Sequence, residues 1–283
     1  MQSTYIVMLV LALFFGSALP SAVQKVESVT RQNQIQQDAL GADPEENLPC
    51  DLWEIEPRCS EGTRLTVNGI SLYYEDRGQG EPLLLLHGGG GSAENFNLML
   101  PELVEHYRVI TPDSRAQGRS TDTDEPLSYR IMVEDMVALL DSLGIESAFV
   151  GGWSDGAAIA IHMAIYYPQR VRALLLTPVD LSADALTQEW WDLAKQMNLP
   201  EKLTTFWYRT RTSPTVDQLA GITAPTVFVI GKDEQFVKLD HVAWQYMSIP
   251  GAEVVWIPGA DHFLVAMPDP VNEAFLSFLD GQR

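Results

Sequence analysis

Ala148-Phe149-Val150-Gly151-Gly152-Trp153-Ser154-Asp155-Gly156-Ala157-Ala158-Ile159-Ala160-Ile161 is the stretch that decides the fold. Its first four residues read as a short buried strand, and the apolar run 157–167 reads as a helix. Between them stands Gly-Trp-Ser-Asp-Gly. A serine on a sharp strand-to-helix turn needs neighbours without side chains, because the backbone folds back within van der Waals contact. Gly152 and Gly156 meet that need. The turn also sets Ser154 at a helix N-terminus, whose dipole favours a developing negative charge. The pattern alone recurs by chance. Its strand–turn–helix setting makes Ser154 a candidate nucleophile, the alternative being a serine that only caps a helix.

A serine needs a base to remove its proton. Of five histidines, His262 lies in Pro258-Gly259-Ala260-Asp261-His262-Phe263, between the last strand pattern and the last helix pattern. In a parallel sheet that loop falls at the carboxyl ends of the strands, where Ser154 also falls. His87 reads instead as a loop brace, and His162 as a residue packed on the helix after Ser154. The imidazole must be held in one tautomer by an acid. Gly231-Lys232-Asp233-Glu234 follows a strand pattern and offers two. Asp233 is the expected partner, since its place one residue past Gly-Lys is the usual one for such an acid, with Glu234 as the rival. His87-Gly88-Gly89-Gly90-Gly91 then lets a backbone approach a substrate carbonyl. The N–H groups of Gly89 and Asp155 are the expected oxyanion donors. The glycine run lacks the Lys-Ser/Thr ending of a phosphate loop.

Outward from these motifs, strands and helices alternate. Asn68-Gly69 joins two strand patterns as a two-residue hairpin. Further strands are expected at 82–86, 108–111, 147–151, 171–176, 226–230 and 252–257. Ser128 is placed to cap a helix reaching Leu143, and a last helix begins near Asp269. This order implies a mostly parallel sheet with helices on both faces. Residues 180–213 break the alternation and carry Trp190, Trp191, Phe206, Trp207 and Tyr208. They read as a small helical cap, in which Trp190 and Trp207, with Trp153 of the turn, are candidate substrate contacts. The competing use of such aromatics is the cap's own core.

Taken together, these segments and Asp113-Ser114-Arg115-Ala116-Gln117-Gly118-Arg119-Ser120 resemble the α/β-hydrolase superfamily over about residues 63–279. The Gly-Trp-Ser-Asp-Gly turn is most similar to the branch with valacyclovir hydrolase and small esterases. The resemblance implies an α/β-hydrolase fold of about eight strands. The core would be 63–179 and 214–283, with a cap at 180–213. Ala116 stands where the family usually has Gly, and Gln117 where an aromatic residue or His is common. The short cap implies a more open pocket than in many relatives. The implied activity is hydrolysis of an ester or related acyl bond of a small molecule, with neither metal nor cofactor. Ser in place of Asp as nucleophile argues against epoxide hydrolase and dehalogenase chemistry. A cofactor-free lyase or perhydrolase, or a ligand-binding protein on this fold, are the alternatives.

The formal net charge of -20 over 283 residues repels nucleic acid and anionic lipid surfaces. Residues 1–22 read as an export signal, with an apolar run at 5–15 and small residues for cleavage after Ala18 or Ala22. The expected compartment is secreted or periplasmic, with an uncleaved anchor as the alternative. Residues 23–62 read as a polar extension in which Cys50 and Cys59, in an exported chain, are expected to form a disulfide.

Overall fold

The computed structural model describes residues 62–179, 181–197, 199–210 and 212–282, without the side chains of residues 209 and 210. The expected signal, the extension and the Cys50–Cys59 pair lie outside the described residues. Asn68 and Gly69 take φ of 44° and 79°. This mirror-image turn matches the twist of paired strands. It folds β1 (Thr63–Val67) back on β2 (Ile70–Arg77), with Val67 facing Ile70. The chain continues through β3 (Glu81–Leu86), α1 (Leu100–His106), β4 (Tyr107–Pro112), α2 (Tyr129–Ser142), β5 (Ala148–Gly152) and α3 (Asp155–Tyr166). Then come β6 (Val171–Leu176), α4 (Gln188–Gln196), α5 (Glu201–Thr205), α6 (Val216–Ala220), β7 (Thr226–Gly231), α7 (Leu239–Ser248), β8 (Glu253–Ile257) and α8 (Pro268–Asp280).

All eight expected strands form, and they make one sheet in the order β1-β2-β4-β3-β5-β6-β7-β8. Only β2 runs against the direction of the other seven strands. The strand β3 reads Glu-Pro-Leu-Leu-Leu-Leu because both faces of the sheet are covered. Leu84 and Leu86 pack in the cluster with Met132, Met136 and Ile159 of α2 and α3. Leu83 and Leu85 pack on the other face with Leu103 of α1 and Phe275 of α8. Successive strand residues point to opposite faces, so one apolar run fills two cores. Each such leucine contributes about 1.5–3 kcal/mol on burial. Ser128 caps α2 by accepting from the N–H of Ile131 at 3.3 Å. Among the described residues no helix is long and apolar enough to cross a membrane.

The chain passes from β3 to β4 on one side, then returns to place β5 on the other. The carboxyl ends of β3 and β5 therefore flank the crevice where open parallel sheets bind ligands. The loop after β4 is tied to that crevice by Asp113. Its carboxylate accepts from the N–H of Ala93 at 2.7 Å, from the N–H of Arg119 at 2.7 Å and from Arg119 Nε at 2.9 Å. Burial pushes the Asp113 pKa up, but the hydrogen bonds from Arg119 and Ala93 and the Arg119 charge outweigh it. The carboxyl is held below its ordinary 3.8.

A depressed carboxylate stabilises the fold in full above its unfolded pKa, and that contribution is lost as pH falls through the folded one. Thermal midpoints followed from about pH 5 down to 2 should therefore drop more steeply for the parent than for Asp113→Asn. Parallel acid limbs for the two proteins would show that Asp113 carries none of this dependence.

Candidate active site

Ser154 takes φ 54° and ψ -117°, a conformation that side-chain-bearing residues rarely adopt. The surrounding backbone enforces it. A Cβ on Gly152 would stand 2.4 Å from the amide nitrogen of Ala157. One on Gly156 would stand 2.0 Å from the carbonyl oxygen of Leu86 and 2.6 Å from that of His87. The two glycines are thus required by close approach, as the spacing implies. Since the obstacles are main-chain atoms of β3 and its following loop, Gly156→Ala is expected to destabilise the protein by about 3 kcal/mol or more. Urea midpoints check this. A loss under about 1 kcal/mol would mean that the end of β3 yields to the methyl group.

From this turn Ser154 meets His262. The Ser154 hydroxyl donates to His262 Nε2 at 3.0 Å. On the other side of the ring, Nδ1–H donates to both oxygens of Glu234, at 3.0 and 3.1 Å. The acid on the histidine is therefore Glu234, and the expected Asp233 is not in the chain of contacts. The local backbone explains the difference. After β7, the N–H of Lys232 bonds to Ile257 O and that of Asp233 to Ala260 O, which presses this turn against the loop after β8. The Asp233 side chain is left facing solvent, and the inward position falls one residue later. Glu234 Oε1 also accepts from the N–H groups of Phe236 and Val237 at 2.7 and 2.9 Å, which aims the carboxylate. Its side chain has 0% exposure. Burial raises the Glu234 pKa, but the bond and charge of His262 and the two N–H groups outweigh it, leaving it below the ordinary 4.5.

The imidazole sits in an aromatic shell of Phe236, Trp153, Phe263 and Trp190, with ring centres 5.5, 6.0, 6.0 and 6.3 Å away. Trp153 Nε1 donates to the backbone carbonyl of His262 at 2.8 Å, tying the serine turn to the histidine loop.

The glycine loop after β3 turns through Gly91 N–H to Gly88 O at 3.0 Å. His87 braces it as expected: Nδ1 donates to Gly88 O at 2.7 Å and Nε2 accepts from Ser114 N–H at 2.9 Å. Burial lowers the His87 pKa, which keeps the neutral ring this arrangement needs. Gly90 N–H donates to Gln117 Oε1 at 2.6 Å. The expected donors Gly89 and Asp155 lie on this loop and at the first residue of α3, on the two sides of the crevice. The Asp155 carboxylate itself serves another end. Its Oδ1 accepts from Tyr129 Oη at 2.8 Å and from Trp207 Nε1 at 3.2 Å.

Trp207 belongs to a single π-helical turn, Phe206–Thr210, that follows α5. It lies so close over the glycine loop that a Cβ on Gly89 would meet its ring at 2.2 Å, and one on Gly90 would meet Leu199 at 2.6 Å. Trp190 packs beside Trp207 with centres 6.3 Å apart. The five cap aromatics thus divide. Trp190 and Trp207 face the site, whereas Trp191 stacks on the exposed Tyr208 at 4.1 Å and Phe206 packs on Tyr129. Ser154 is 7% exposed beneath these residues.

Residues 81–215 match the model of the alpha/beta hydrolase fold family. The chain has the α/β-hydrolase fold. The chain is 29% identical to RutD of Azorhizobium caulinodans, which carries a provisional carbamate hydrolase name. The match spans 251 residues, 73% of this chain and 94% of RutD. It is 38% identical to the 2-hydroxymuconate semialdehyde hydrolase of Pseudomonas sp. CF600 over 119 residues, 41% of this chain and 42% of that one. The solved meta-cleavage product hydrolase of Pseudomonas fluorescens IP01 superposes with a TM-score of 0.68. That superposition covers 78% of this chain and 98% of the other at 22% identity, a likeness of fold.

Proposed function

We propose that this protein is a serine hydrolase that cleaves a carboxylic ester, or a related acyl bond, of a small molecule. One observation carries the reading: His262 bridges Ser154 at 3.0 Å and Glu234 at 3.0 Å, with the imidazole and carboxylate side chains 2% and 0% exposed. In this reading Ser154 Oγ attacks the acyl carbon while its proton passes to His262 Nε2. The negative charge on the former carbonyl oxygen is met by the N–H groups of Gly89 and Asp155. As the tetrahedral species collapses, the bond to the leaving oxygen breaks and His262 gives that oxygen the proton. Water then repeats the sequence on the acyl-enzyme, releasing acid and free Ser154. Glu234 holds the imidazole in the Nδ1–H tautomer and offsets its positive charge.

The test pairs a panel of p-nitrophenyl esters of short to long acyl chains with a serine-directed fluorophosphonate. Turnover of at least one ester and a single phosphonate adduct on the peptide holding Ser154 are expected. An unlabelled, inactive protein would overturn the reading in favour of a binding role. The Pseudomonas relative named for a semialdehyde hydrolase favours a second reading, cleavage of a carbon–carbon bond beside a carbonyl. Labelling of Ser154 without turnover of any ester would select it.

A further inference from the structure

The structure gives Gln117, on the loop after β4, a half-used side chain. Its Oε1 accepts from Gly90 N–H at 2.6 Å. That bond decides which end of the amide is which, since a reversed amide would set donor against donor. The Nε2 end is then turned away from Gly90, and it has no hydrogen-bond partner among the described residues although Gln117 is only 5% exposed. Native structures rarely leave a buried amide donor unpaired, and such an orphan asks for an acceptor. This one sits a carboxamide's width from the oxygen that holds Gly90 N–H, on the loop whose Gly89 and Gly90 face Trp207 and Leu199. An acyl group whose carbonyl oxygen reached Gly89 would carry its next atoms past this amide.

We infer that Gln117 is a specificity residue whose Nε2 donates to an oxygen on the acyl part of the substrate, close to the scissile carbonyl. The site then prefers α-alkoxy, α-hydroxy or α-keto acyl groups over plain alkyl ones of equal length. The inference rests on the serine hydrolase reading above. In the acylation step Gln117 exchanges no proton and forms no covalent bond. It aligns the acyl chain, and its Oε1 keeps the loop in place.

The experiment compares kcat/KM for p-nitrophenyl methoxyacetate and p-nitrophenyl butyrate, which differ by an oxygen in place of a methylene. The ratio is divided by the ratio of their hydroxide-catalysed rates, to remove intrinsic reactivity. It is measured in the parent, in Gln117→Glu, which keeps an acceptor for Gly90 N–H but loses the donor, and in Gln117→Met, which loses both. The expected corrected ratio is about 10 in the parent, about 1 in Gln117→Met and below 1 in Gln117→Glu, whose carboxylate repels the ether oxygen. Should Gln117→Met not fold, the ratio in Gln117→Glu decides. An active parent with the same ratio in every variant would overturn this inference and leave the hydrolase reading standing. A parent that turns over neither ester and takes no fluorophosphonate would overturn both.

Discussion

Ser154→Ala is expected to lower ester turnover by about 10⁶-fold, the scale seen when a triad nucleophile is removed. A residual rate of about 10³–10⁴ over water should persist, because the backbone donors and the bound geometry remain. Stability should move little, since alanine inherits the same unfavourable φ of 54°. Ser154→Gly separates the two properties. It abolishes turnover equally but relieves the positive φ, and is expected to stabilise the fold by about 1 kcal/mol. For a protein of this size that is a rise of about 2–4 °C in the thermal midpoint. Parallel kinetics and melting curves on both variants decide the matter. More than about 1% of parental turnover in either would remove Ser154 from the role of nucleophile.

The second large effect falls on the acid. Glu234→Gln keeps an oxygen for the N–H groups of Phe236 and Val237 but presents an amide nitrogen to His262. The imidazole is then driven to the tautomer that cannot accept the Ser154 proton. A loss of about 10⁴ in kcat is expected, as for other triads whose acid becomes an amide. Asp233→Asn, one residue away and facing solvent, should stay within about twofold of the parent. The adjacent pair makes an internal control for charge and for position in the chain. A large loss at Asp233 with little at Glu234 would contradict the contacts at 3.0 and 3.1 Å.

What was legible in the sequence was whatever depends on local sterics and periodicity. Asn68-Gly69 announced its hairpin because few other pairs tolerate two positive φ angles. The run at 82–86 announced a doubly covered strand because no residue in it has a polar face to expose. Gly152 and Gly156 announced the serine turn because a main chain crosses each at van der Waals distance.

The site was less legible wherever a choice depends on a distant segment. Asp233 and Glu234 are chemically alike. What separates them is the backbone pairing of residues 232 and 233 with the loop after β8, which is invisible from the local string. The inward-pointing Phe236 and Val237 two and three residues later were the available sign that the chain turns inside after residue 234. Gln117 was visible as a departure from the usual motif. Its bond to Gly90 joins residues 27 positions apart and has no local signature. The closeness of the cover likewise comes from Trp207 reaching the glycine loop across most of the fold.

That cover has a thermodynamic side. Trp207 stands so near Gly89 that an added Cβ would meet its ring at 2.2 Å, and a ligand that needs that space engages only those molecules in which the indole has swung aside. Apparent affinity then equals intrinsic affinity multiplied by the fraction of time the cover stands open. A cover open about one time in a hundred removes two decades, or about 2.7 kcal/mol, from every ligand alike. Discrimination between ligands is untouched by this uniform tax. It would show instead as a weakening shared by every ligand, with Ser154 shielded from water while the cover is closed.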